Sequence, residues 1–547
     1  MKNLSFRTAI LAIVMLLPVF SGAQPNLLDK GGDQVKLFNA SQAFNGGDYV
    51  KALNLYKEVQ ANTPNVGSLA YHVGECYYMM RQYDEALESL EKAKALDANS
   101  HVELNLMLGK TYQVKGQTDK AIEALNAFKA ASTNDLKKKE TDYHLSQCNN
   151  AKTLMAKGSN VTITNVGASV NSPYDDKRPS ITADGKTMIF TSRRPEGKTS
   201  TVDKEGDSGY FDDIYLCTWN EEKQIWNDAE LIKGSVNSAG HDASCSISPD
   251  GKLLYIYQNN AETGSSGGDI YVSKRGSAGK WGSPKNMGKK INTSYFEDNA
   301  VMMPDASKLF IMSERGQDLP WKGQKGFGRS DIWICDKVGK SDWNFPMNAG
   351  AEINSEYDEG GMSFSPDGKT LYFCSNGPGS MGGYDIFKST FENGKWGAPV
   401  NMGYPINTIY NDKIFIVAPD GKTAYIDSDR EGSIGDRDLW IADITDIMKP
   451  KAKLPIPKSV LKGTIFDGNG VAVVTEVAIY DESGAKVTSV QSSSSGNYEV
   501  QLDGGKTYEA RLEMSGFKKI SEKVELKQGP EGGPAFELVK HYILYKE

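Results

Sequence analysis

Ser248-Pro249-Asp250-Gly251-Lys252-Leu253-Leu254-Tyr255 decides how the middle of this chain folds. Pro-Asp-Gly is turn chemistry: proline presets its own φ, aspartate caps the backbone two residues on, and glycine accepts positive φ. The apolar run behind it reads as a strand. The pattern returns as Thr182-Ala183-Asp184-Gly185-Lys186, Met303-Pro304-Asp305-Ala306-Ser307, Ser365-Pro366-Asp367-Gly368-Lys369 and Ala418-Pro419-Asp420-Gly421-Lys422, each with an apolar run after it. Such repetition predicts an array of β-meanders. Ala306 stands where the other copies have glycine, which predicts a slightly different turn there.

Each unit holds more than the turn. An Asp-Ile/Leu-aromatic motif follows (Asp213, Asp269, Asp331, Asp385, Asp438), then a Trp (Trp226, Trp281, Trp343, Trp396), then Val/Ile-Asn-Ser/Thr ending at Ser238, Thr293, Ser355 and Thr408. Four strands per unit is the content of a propeller blade. The last unit stops after Trp440-Ile441 without its fourth strand, while an unmatched copy, Val161 to Asn171, precedes the first. Moving it to the end gives five complete blades and leaves no open sheet edge. A sixth blade would need a flanking segment. These units, over residues 160–447, resemble the PD40, or WD40-like, repeats shared with TolB-type propellers.

An acid lies eight positions before each turn Asp: Asp176, Asp242, Glu297, Glu359 and Asp412. One reading is a cation site or electronegative funnel at a channel mouth. The other, favoured because repeat-wide positions serve the fold, is a carboxylate that accepts backbone amides at the strand entry. Departures from the repeat are better candidates for function. The loops Arg193–Asp212 and Arg315–Ser330 are the longest, and the second carries Trp321 and Phe327, candidate anchors for a partner protein. A loop packing its own aromatics is the competing account.

Upstream, Gly47-Asp48-Tyr49-Val50-Lys51-Ala52-Leu53 matches Arg81-Gln82-Tyr83-Asp84-Glu85-Ala86-Leu87 at a spacing of 34 residues, and Gly116 opens a third copy. This period, with an Ala-led second helix, resembles the tetratricopeptide repeat and implies paired helices over 30–157, the last from Lys138 to Lys157, with a groove for a partner segment. His72, His101 and His144 fall within these helices and show no metal-ligand spacing. Downstream, residues 448–457 read as a Lys/Pro linker. Residues 458–547 alternate as strands around Asp467-Gly468-Asn469-Gly470 and Ser495-Gly496-Asn497. Their order resembles the carboxypeptidase-regulatory-like fold, a transthyretin-like β-sandwich without peptidase chemistry.

Residues 1–23 read as a signal peptide: Lys2 and Arg7, then apolar Ala9 to Phe20, then Ser21-Gly22-Ala23, with Gln24 the expected mature start. No cysteine adjoins the cleavage site, so no lipoprotein is expected. The stretch is too short to span a bilayer, and none later is apolar enough. The 547 residues carry a net charge of −8, which argues against nucleic acid as a partner. Cys217 and Cys335 share a repeat slot with Ser273, Ser389 and Ala442, so the six cysteines read as small buried thiols rather than a disulfide framework.

The order signal peptide, tetratricopeptide repeats, PD40 propeller and regulatory-like sandwich resembles PorE-like periplasmic proteins, associated with type IX secretion and the outer membrane. Such proteins often end in an OmpA-type, peptidoglycan-gripping domain. This chain stops at Glu547 directly after the sandwich, which leaves direct peptidoglycan binding doubtful. No Gly-x-Ser-x-Gly, His-Glu-x-x-His or phosphate-loop motif appears. The expectation is a non-enzymatic periplasmic scaffold without cofactor, bound to envelope proteins. The alternative is a propeller that binds or cleaves glycans or peptidoglycan fragments.

Overall fold

The computed structural model describes residues 31–195, 202, 209–259, 268–276, 279–317, 320–339, 342–448, 458–529 and 535–547. The expected signal peptide lies outside the described residues, as do the expected Lys/Pro linker from Lys449 onward and most of the Arg193–Asp212 loop, whereas Met448 ends a short helix, Thr445–Met448. The chain divides into two compact units, Met1–Met448 and Lys449–Glu547.

The first unit opens with seven helices: α1 (Gly31–Asn45), α2 (Tyr49–Asn62), α3 (Gly67–Met79), α4 (Tyr83–Leu96), α5 (Leu104–Val114), α6 (Thr118–Ala131) and α7 (Asp135–Lys157). They pack as pairs because the contact positions are small. A Cβ on Gly74 of α3 would stand 2.7 Å from Leu90 of α4, and one on Gly109 of α5 would stand 2.6 Å from Leu125 of α6. Ala86, Leu90, Ala121 and Leu125 are fully buried between them. The turns joining partners place Gly47, Arg81 and Gly116 at positive φ, so Arg81 holds a conformation its two counterparts reach as glycine. α7 begins at Asp135, three residues before the expected start, because the Asn134 side chain caps it by accepting from Leu136 and Lys137 N–H. His101 sits in the turn before α5, not within a helix, and its ring stacks on Tyr71 at 3.8 Å.

Five antiparallel sheets follow, opened by the strands Asp176–Ile181, His241–Ile247, Glu297–Met302, Glu359–Phe364 and Asp412–Val417. In each, the opening strand pairs with the strand after the Asp-Gly turn (Asp305-Ala306 in the third), and that strand pairs with the one begun by Asp-Ile/Leu-aromatic. In the fifth sheet, Thr162–Asn165 pairs antiparallel with Trp440–Asp443. The outer position of that sheet is therefore filled from the N-terminal side of the array. Each opening strand contacts the next, and the fifth contacts the first. The apolar cores repeat this order. One lies between the first and second sheets (Ile214, Ile256), then successive ones join second to third (Tyr255, Trp333), third to fourth (Phe310, Phe373) and fourth to fifth (Tyr372, Phe415). The last joins fifth to first, where Val170 and Phe190 meet Tyr425 and Leu439.

The second unit contains two four-stranded sheets that share one core. One is fully antiparallel around Glu476–Tyr480 and Lys506–Leu512. The other is built on Ser459–Asp467, antiparallel to Asn497–Leu502 and parallel to Glu537–Val539 and Tyr542–Leu544. Leu461, Ile465 and Val500 of the second sheet meet Val477, Ala510 and Val524 of the first. No helix among the described residues is long and apolar enough to cross a membrane. All six cysteines are buried and unpaired.

Candidate functional site

The turn motif is self-contained. Asp184 Oδ1 accepts from Thr182 Oγ1 (2.6 Å) and Lys186 N (3.0 Å), and Asp250 and Asp367 repeat this with Ser248 and Ser365. Ala306 takes φ 56°, beside 70°, 68°, 70° and 66° for the four glycines, and its N–H reaches Met303 O as Gly185 N–H reaches Thr182 O. The third turn is therefore the same turn, with an alanine forced into the left-handed region, rather than a different one.

Val/Ile-Asn-Ser/Thr is a joint, not the end of a strand. In each copy the asparagine amide pairs both ways with one backbone position of the third strand. Ile214 N donates to Asn237 Oδ1 at 2.9 Å and Asn237 Nδ2 donates to Ile214 O at 3.1 Å. Asn292 does the same to Ile270, Asn354 to Ile332 and Asn407 to Ile386. Asn171 does it to Leu439 of the last sheet. The next residue turns the other way. Thr293 donates N–H and Oγ1–H to Glu297 at 2.9 and 2.7 Å, Ser355 to Glu359 at 2.9 and 2.6 Å, and Thr408 to Asp412 at 2.6 and 2.9 Å. Ser172 and Ser238 serve Asp176 and Asp242. The five repeat acids are thus buried, each bonded where one sheet passes to the next.

What neutralises them differs from sheet to sheet. Arg194, Arg315 and Arg430 occupy equivalent positions after the second strand, and each donates to its acid and to the carbonyl preceding the joint asparagine. In the second sheet Gln258 bridges Asp242 and Val236 O instead. In the fourth sheet the position is Gly377, where a Cβ would stand 2.8 Å from Ser355 Oγ. Burial pushes Glu359 up to about 7 against the hydrogen bonds of Ser355 and Ser375, and Asp242 up to about 6.

A second charged set, outside the repeat positions, links the first sheet to the third and the fifth. Arg178 leaves its strand at a bulge with φ 55°, and its guanidinium holds both Asp298 carboxylate oxygens at 2.5 Å, first sheet to third. Arg437 holds Asp175 at 2.7 and 2.6 Å, and Lys177 bridges Asp175 and Asp212 at 2.9 and 2.8 Å. Burial opposes ionisation of Asp175, yet Arg437 and Lys177 hold it well below the usual carboxylate range. Lys413 lies 4.4 Å from the Tyr384 ring, its pKa lowered by burial and by Arg437. Sequence reading passed over this set. Its signal was Lys177-Arg178 standing where the second sheet has Ala243-Ser244. Among the described residues no group of three or more His, Cys, Asp or Glu is placed to hold a metal ion.

The structure separates the two loop aromatics. Trp321 is half-buried: the guanidinium of fully buried Arg315 lies 4.7 Å from its ring, and its edge meets Trp333 and Phe345 at 6.0 and 6.1 Å. Phe327 is 46% exposed. The equivalent loop of the fourth sheet faces α7. Tyr143 stacks on Tyr357 at 5.3 Å and donates to Asn376 O at 2.8 Å, Asn150 donates to Ser380 O at 2.9 Å, and Gln147 donates to Gly382 O. Arg81 adds an ion pair to Asp429 of the fifth sheet at 3.6 Å. On the helices' other polar contacts, Lys110 pairs with Glu140 and Lys137 with Glu103. Burial lowers His101 and His144 to about 4, so both stay neutral.

Among solved structures, a chain of the CopN–Scc3 complex is 18% identical over 21% of this chain and 66% of its own, with a TM-score of 0.19. The P58(IPK) TPR domain is 18% identical over 23% of this chain and 34% of its own, at 0.22. The Sgt2 TPR domain from Aspergillus fumigatus is 16% identical over 25% of this chain and 89% of its own, at 0.22. This chain therefore spans less than two thirds of the length of the first two. No curated protein matches it. The tetratricopeptide repeat family matches residues 69–100, which take in most of α3 and all of α4, so the helical region contains a tetratricopeptide repeat.

Proposed function

We propose that the chain is an exported, non-enzymatic scaffold of the periplasm that docks outer-membrane or type IX secretion components. In this reading the five sheets are the blades of a PD40-type propeller and the second unit is a transthyretin-like sandwich. The cyclic order of the inter-sheet cores and the pairing of Thr162–Asn165 with Trp440–Asp443 support the propeller. The repeat acids are occupied as joints between sheets, which favours a structural role for them over a reactive one.

The observation that carries the reading is the attachment of α7 to the fourth sheet. Tyr143, Gln147 and Asn150 fasten a helical-repeat array, a partner-binding architecture, to a second platform of loops. Two surfaces on one compact unit suit a protein that brings partners together. Affinity isolation of the tagged full chain from envelope extracts tests this. Outer-membrane or secretion proteins should be recovered with it. Recovery of the chain alone from the soluble periplasmic fraction would sink the proposal, and retention on peptidoglycan fragments without protein partners would favour a glycan-binding role.

A further inference from the structure

The loop from Trp321 to Arg329 on the third sheet is a rigid finger. Trp321 and Gln324 exchange both backbone hydrogen bonds, at 2.8 and 2.9 Å, around a two-residue turn with Lys322 at φ 47° and Gly323 at φ 80°. The Gln324 side chain binds the outer strand, accepting from Asn348 N at 2.9 Å and donating to Pro346 O at 3.4 Å. It occupies backbone groups that an incoming strand would otherwise use, so the finger engages partners through side chains. At its base Asp331 accepts from Phe327 N (2.7 Å), Gly328 N (3.0 Å) and Asn348 Nδ2 (2.8 Å). Beneath it, Trp321 covers the guanidinium of Arg315. A finger fixed in this way loses little conformational freedom when it binds.

What it displays is apolar and basic. Phe327 on the finger, and Phe345 and Met347 on the segment that Gln324 binds, are 46%, 45% and 59% exposed. Residues 320–330 contain Lys322, Lys325 and Arg329 and no Asp or Glu, in a chain whose net charge is −8. Arg329 is paired with Glu314, whereas Lys322 and Lys325 form no ion pair among the described residues. Lys322 Nζ stands 3.9 Å from the Phe345 ring centroid, so a cation sits directly beside an exposed aromatic face.

We infer that this finger docks an acidic segment of a partner protein, with carboxylates at Lys322 and Lys325 and apolar side chains against the exposed Phe327, Phe345 and Met347. The exposed rings are phenylalanines and the third contact is a flexible thioether, which suits an apolar side chain better than a sugar face. The inference rests on the docking-scaffold reading and specifies the chemistry of one of its surfaces.

The test uses the full chain and a fluorescein-labelled peptide alternating Glu with Leu, read by fluorescence anisotropy, with a Lys-for-Glu peptide and polygalacturonate as the other arms. The acidic peptide should bind, weaken as salt rises, and lose at least about tenfold in affinity in Lys322→Glu/Lys325→Glu and about fivefold in Phe327→Ser, with unchanged melting temperatures. Equal affinity of the variants, no peptide binding, or binding of polygalacturonate alone would overturn the inference. The same charge-reversed variant, used in the envelope isolation, separates the two claims. If it recovers the same proteins as the unaltered chain, the scaffold stands and the finger's role falls. If neither recovers any, the scaffold itself falls.

Discussion

The third and fourth sheets use the same connection, from second strand to third, for opposite ends. In the fourth sheet the connection is short and glycine-rich, Asn376 to Tyr384, and α7 lies against it. In the third it is long and carries the basic and aromatic finger, its base held by Asp331 and its Trp321 ring lying over a buried arginine. The difference turns on one position. Where the third sheet has Arg315 locking Glu297, the fourth has Gly377 and an acid with no guanidinium. A repeat position that neutralises a carboxylate in one copy has been given up in another, next to the place where a helix docks.

The sharpest way to break this comparison is Arg315→Met. It leaves Glu297 buried without its cation, which should cost about 3–5 kcal/mol in denaturant unfolding. It should also free the Trp321 ring, read as increased quenching by iodide. A cost below about 1 kcal/mol would show that the guanidinium does not hold the joint. Next in size is Tyr143→Ala, which removes a stacked ring and a hydrogen bond from the fourth-sheet contact. It should cost roughly 2–3 kcal/mol and open a protease site between helices and sheets. Unchanged stability and an unchanged digestion pattern would mean the contact is incidental.

A pH experiment sharpens the same contrast. Glu359 is pushed up to about 7 from 4.5, so the folded protein holds this proton more tightly than the unfolded chain. Its contribution is complete below 4.5 and is lost as pH rises through about 7. Asp242, at about 6, and Asp385, pushed up mainly by burial to about 8, act in the same sense. His101 and His144, lowered to about 4 from 6.5, act in the opposite sense and offset this at weakly acidic pH, so the net fall in stability should lie between about pH 6.5 and 8. Glu359→Gln should flatten the slope by at most about 1.4 kcal/mol per pH unit, and an unaltered slope would refute the assignment. The smallest effect belongs to Ala306→Gly. It relieves a left-handed alanine and should stabilise the protein by about 1 kcal/mol, visible as a higher melting temperature.

What could be read from the sequence follows the range of the interactions involved. The Asp-Gly turns were legible because their hydrogen bonds close within five residues, as Asp184 and Thr182 show. The helical pairs were legible from the 34-residue period, and the displaced outer strand from counting repeats. The joint was seen as a motif but assigned to a strand, since Val-Asn-Ser alternates like one. The partner of its amide lies more than twenty residues away, and for Asn171 it lies across the whole array. The arginine row and its gap at Gly377 had no local signature, because an arginine two residues beyond a strand reads as exposed until burial is known. The α7 contact joins residues some 230 positions apart, a distance no periodicity reports. Of the candidate site, sequence picked out Trp321 and Phe327 as a pair, and only packing could distinguish the ring that covers Arg315 from the one that faces solvent.

Because the asparagine of each joint belongs to one sheet and its hydroxyl neighbour to the next, the unit that can be duplicated or excised without loose ends does not coincide with a sheet. It runs from one Asp-Gly turn to the following one, with a whole joint inside it. A cut placed inside the tripeptide would strand an unpaired backbone position on one side and a bare buried acid on the other. Grafts, deletions or circular permutants of this array should therefore be tolerated only when their breakpoints fall elsewhere, with the exposed Asp-Gly turns as the natural openings.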